Sequence, residues 1–268
     1  MPPHQPVLVP AAMLAVQEIP CIVVSDAGKT PAQITEVSVV DAGQMIRRLI
    51  EYQDVWRYLM RLTAEEAARP IPTLRMGDTL ETLLNEMSEA RVDLAFVRSE
   101  KGRRPRIVDL LTILKYYSIK SHIRSFLRDF KAAGICSGPP LVSVEIVHTL
   151  RESMKLAVNK GVRRLVVKPS NTILSLRSIV RFFFGSIQSV ELLRDDPERI
   201  LNLPVGELGD FLQQPGVVNA DDSLVTVCDR LLASDAKCCL LSGGNGIITP
   251  WDLTVKLYQK FDSRVSPM

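Results

Sequence analysis

Thr249 and Asp252, in the stretch GIITPWD, are the residues of this chain best placed to do chemistry. A hydroxyl and the free N–H groups of a first helical turn converge on one spot, which favours an anion such as phosphate. A carboxylate three positions on lies one turn along the same side. It cannot sit on a phosphate, but it can accept two bonds from vicinal hydroxyls. The same four residues are also a helix start: Thr249 suits the cap, Pro250 the first helical position and Asp252 the first turn. Both readings stand at this point.

Related pairs recur along the chain. Ser38 and Asp41 keep the Ser/Thr-x-x-Asp spacing, although Asp41 also reads as the cap of a helix over 42–50. Arg106 and Asp109 put a guanidinium in place of the hydroxyl, and Arg pairs with phosphate bidentately. Ser175 and Ser178 replace the carboxylate with a second hydroxyl, which bonds one sugar hydroxyl and carries no charge. Arg163, Arg164 and Lys168 sit near that third pair, as ordinary surface charges or as phosphate contacts for a neighbouring site. The run 101–106, KGRRPR, reads as a solvated turn or as a collector of phosphates.

Other chemistries find little support. The chain has 268 residues, 33 basic and 30 acidic, so its net charge of +3 does not argue for nucleic acid. Three histidines and five cysteines, with no CxxC pair, argue against a zinc site and against His-based catalysis. No metal, no enzymatic activity and no membrane span are expected, and the thiols read as reduced and cytoplasmic.

The elements that position these residues form a repeat. TLETLLNEMSEARVDLAFV (79–97), TLRESMKLAVNKGVRRLVV (149–167) and SLVTVCDRLLASDAKCCLL (223–241) align without gaps. Each opens with a capping Ser or Thr, continues with apolar residues at helical spacing and ends in a short buried strand. A turn, a second strand and a second helix follow. The N-terminal part supplies a fourth, degraded copy with a short first helix. The expected unit is strand–helix–strand–strand–helix, an α+β fold.

The fourfold repeat with GIITPWD resembles the cystathionine-β-synthase (CBS) domain family, whose tandem pairs are called Bateman modules. The resemblance implies chain-order pairs. Residues 1–122 hold copy one (about 1–62) and copy two (about 68–120). A linker helix over 123–139 follows. Residues 140–268 hold copy three (about 140–187) and copy four (about 214–262). It also implies an adenosine nucleotide (AMP, ADP or ATP) as ligand. Thr249 would lie near phosphate and Asp252 on ribose, with Ile248 beside them; the strand Val217–Asn219, with Val218, and the segment Lys237–Cys239, with Lys237 and Cys238, would line the base. Ser38, Asp41, Arg106, Asp109 and Arg164 would serve the other clefts. The resulting expectation is a non-catalytic regulator signalling to a protein partner, as a single chain or a homodimer. The rivals are an adaptor with vestigial clefts and a nucleic-acid-binding regulator.

Overall fold

The computed structural model describes residues 1–17, 19–25, 37–51, 55–98, 105–138 and 140–262. The turn at 26–30 and the basic run at 101–104 lie outside the described residues.

Copy two runs β4 (Thr73–Arg75), α5 (Leu80–Glu89), β5 (Leu94–Arg98), β6 (Arg106–Asp109) and α6 (Leu110–Ile119). Copy three runs β7 (Ser143–Glu145), α8 (Leu150–Lys160), β8 (Arg164–Lys168), β9 (Thr172–Ser175) and α9 (Leu176–Phe184). Copy four runs β10 (Gly216–Val218), α12 (Leu224–Ala233), β11 (Cys239–Leu241) and β12 (Ile247–Ile248), and closes with a helix from Pro250. Its last part is α13 (Leu257–Asp262). In each of these copies the first strand pairs parallel with the second and the second antiparallel with the third. A parallel neighbour needs a crossover, and the capped helix supplies it. Thr79, Thr149 and Ser223 accept the N–H of Thr82, Glu152 and Thr226, so all three predicted caps form.

Copy one is built differently. It runs α1 (Leu8–Gln17), β1 (Cys21–Val24), β2 (Val37–Asp41), α2 (Ala42–Glu51), α3 (Val55–Arg61) and α4 (Ala64–Ala67), and the segment leading on to copy two forms β3 (Arg69–Ile71). The expected short first helix is ten residues long, because Pro10 falls in its first turn, where no N–H is needed. The backbone of Met1 bonds Val23 and Ser25 beside β1, where the other copies place a first strand. β3 lies on the far side of β2.

The expected linker helix is shorter than 123–139. It covers α7 (Ser121–Arg128) and gives way to a single tight turn at Ala132–Gly134. Two further helices, α10 (Ile187–Asp195) and α11 (Pro197–Leu201), fill the connector between copies three and four.

The compact units cut across chain order. One comprises residues 1–70 with 142–213, and the other 71–141 with 214–268. Copy one therefore packs with copy three, where α1 and α2 meet α9 around Met45, Ile46, Met154 and Phe183. Copy two packs with copy four, where α6 and α7 meet α12 around Leu114, Leu127, Val227 and Leu231.

Candidate functional site

The pairing register decides which residues of the four copies correspond. The last strand of copies one, two and three ends at Asp41, Asp109 and Ser175, opposite Cys21, Leu94 and Arg164. In copy four Cys239 faces Ile248, so Thr249 holds that place. Each of these four residues immediately precedes a helix, at Ala42, Leu110, Leu176 and Pro250. Asp41 and Asp109 thus stand where Thr249 stands, not where Asp252 stands. The residues matching Asp252 are Gln44, Thr112 and Ser178. This shifts the sequence alignment of copies one and two by three residues. The reason is capping: Asp41 accepts the Gln44 N–H at 3.0 Å and Asp109 accepts the Thr112 N–H at 2.7 Å. The alternative reading of Asp41 as a cap describes copy one. Ser38 and Arg106 lie three residues back along their strands, Ser38 half-buried and Arg106 exposed.

Copy four keeps both groups together. Asp252 is 2% exposed. One carboxylate oxygen accepts the Thr249 N–H at 2.8 Å and the Thr249 hydroxyl at 2.7 Å. The other accepts the Ser137 hydroxyl at 2.6 Å and lies 3.4 Å from Lys256 Nζ. Lys256 also donates to the carbonyls of Ile135 and Cys136. Asp252–Lys256 forms a π-helical turn, with the Leu257 N–H reaching back to the Asp252 carbonyl. Sequence reasoning missed Ser137 and Lys256. Lys256 carried a signal, four residues after an aspartate on a helix. Ser137 carried none, being 115 residues from Asp252.

The residues expected to line the base divide between surface and core, with Val217 and Asn219 exposed. Val218, Cys238 and Ile248 are buried, Val218 and Ile248 in the core of copy four. Lys237 has a positive φ of 48° and turns its ammonium onto the Leu232 carbonyl at 2.8 Å. Val217, beside Val218, is the exposed apolar residue of that strand.

In copy three, Ser175 and Ser178 form a closed cluster. Their hydroxyls lie 2.7 Å apart, and both donate to Gln213 Oε1, at 2.9 and 3.0 Å. Arg164 opens β8 opposite Ser175. In copy one, Asp41 accepts two bonds from Arg69 and lies 3.7 Å from Arg163. Burial opposes its charge, but Arg163, Arg69 and the Gln44 N–H outweigh it and hold the carboxyl below the usual range. In copy two, one oxygen of Asp109 takes both the N–H and the hydroxyl of Thr112.

One device unites copies one, three and four. Arg69, Gln213 and Ser137 all lie in segments that precede another copy. Gln213 exchanges both backbone bonds with Ile173, and Ser137 does so with Ile247. Arg69 belongs to β3, the neighbour of β2. Each segment extends a sheet and sends a side chain to the start of the following helix.

No protein-family model matches the chain, and no curated protein matches it. Solved structures do. A Methanocaldococcus jannaschii protein, titled as a proposed archaeal homologue of γ-AMPK, superposes with a TM-score of 0.77 at 12% identity, over 96% of this chain and 95% of that one. An uncharacterised conserved protein from Pyrococcus horikoshii gives 0.53 at 15% identity, over 89% and 90%. A CBS-pair protein from Arabidopsis thaliana matches 50% of this chain and 97% of its own, with a TM-score of 0.40 at 17% identity. The chain has the fold of tandem CBS-domain proteins, with four repeats.

Proposed function

We propose that this is a non-catalytic regulatory protein that takes an adenosine nucleotide at copy four and signals its occupancy to a protein partner. One observation carries the reading: at the junction between the strand and the second helix of each copy, copy four alone among the described residues joins a threonine hydroxyl to a carboxylate one turn on, with a cation beside them. A nucleotide there would bring ribose hydroxyls to Asp252 in place of Ser137, and phosphate to Thr249 and Lys256. Binding would therefore loosen the segment Ile135–Ser137 that leads into copy three. The ligand acts only through its differential affinity for the held and released forms.

The donors already bonded to Asp252 favour a second reading, an adaptor whose clefts are vestigial. Thermal unfolding with AMP, ADP, ATP and S-adenosylmethionine separates the two. A ligand at a hundred times its Kd adds about 2.7 kcal/mol of stability, readily seen as a rise in Tm. No shift with any of the four leaves the adaptor reading standing.

A further inference from the structure

We propose that the outer edge of β6 in copy two is a strand-addition site for an extended segment of a partner protein, one that presents an arginine or lysine to Asp109. The other three copies show what belongs there. Each has its last strand extended by an added segment, through β3, Gln213 or Ser137. In copy two, β6 ends its sheet, and no described residue bridges to it.

The phase of the edge is right. The Leu110 N–H donates to the Asp93 carbonyl, which makes Leu94 and Asp109 a non-hydrogen-bonded pair. Ile107, two residues back, therefore turns its N–H and C=O away from β5. Ile173 and Ile247 hold the same position, and those outward groups are the ones that Gln213 and Ser137 bond. An edge with such groups unpaired is a template for another strand.

The chemistry of the occupant follows from the internal precedents. In copies three and four one residue does two jobs: its backbone pairs with the isoleucine and its side chain reaches the helix start. Copies one and two share an aspartate at that start, and Asp41 takes a guanidinium through two bonds. Asp109 uses one oxygen on Thr112, and its second oxygen has no donor among the described residues. The partner residue opposite Ile107 is therefore a cation.

The test uses the full chain and two labelled peptides, Val-Thr-Val-Arg-Val-Thr-Val and the same sequence with Glu for Arg, followed by fluorescence anisotropy. The Arg peptide should bind about tenfold tighter or better, as expected for a charge-assisted pair. Ile107→Pro, tolerated on an edge strand, should abolish binding of both. Asp109→Asn, which keeps the cap, should erase the preference for Arg. Failure of the Arg peptide to bind, or an Arg preference that survives Asp109→Asn, overturns the proposal. So does a dimer in sedimentation that Ile107→Pro dissociates, which would assign the edge to a second copy. Binding that appears only after residues 263–268 are removed would assign it to this chain's own terminus and overturn it equally.

Discussion

Asp41 and Asp252 are both buried carboxylates, but they are satisfied in different ways. Asp41 is held by two guanidiniums. Asp41→Asn should cost about 3 kcal/mol in urea unfolding at pH 7, the order expected for breaking a buried pair. Its depressed pKa fixes the sign of the pH dependence. The contribution is complete above the unfolded value of 3.8 and is lost as pH falls through the lower folded value. The gap between wild type and Asp41→Asn should therefore close on acidification; a gap that widens would contradict the pairing. At this scale Thr249 and Asp252 were legible, because a glycine, two isoleucines, a hydroxyl and a carboxylate in that order mark a strand running into a helix. The register of copies one and two was not. A Ser-x-x-Asp stretch that ends a strand looks identical to one that begins a helix, and only the cross-strand partner distinguishes them.

At the scale of elements, the capped helices could be read directly, since Ser or Thr before Leu marks a helix start. Thr149→Ala should cost about 1 kcal/mol, because it breaks a full capping box with Glu152. Equal Tm values for the two proteins would deny the cap. Gln213→Ala should weaken copy three by leaving the Ser175 and Ser178 hydroxyls buried without their acceptor, at about 1–3 kcal/mol. Gln213→Glu keeps an acceptor and should recover most of the loss. The added segments themselves were not legible. They are too short to carry a periodic pattern, and their partners lie far away in sequence.

At the scale of the whole molecule, each compact unit draws on two separate stretches of chain. The α6–α12 and α2–α9 contacts that create them join helices whose apolar faces are visible in sequence but whose partners are not. Cutting the chain at 141/142 should therefore split both cores. Fragments 1–141 and 142–268 should each unfold or self-associate when made alone, and regain the parent circular dichroism melt when mixed. Two fragments that stay monomeric and melt like the intact chain would contradict the division. The described helices include none long and apolar enough to cross a membrane.

The nucleotide reading is tested most sharply by calorimetric titration of the wild type, Asp252→Ala and Asp109→Asn with the nucleotide that raises Tm most. Asp252→Ala should lose about tenfold in affinity or more, roughly 1.4 kcal/mol, while Asp109→Asn should bind like wild type. Folded Asp252→Ala that binds as tightly as the wild type would contradict a ribose contact at copy four.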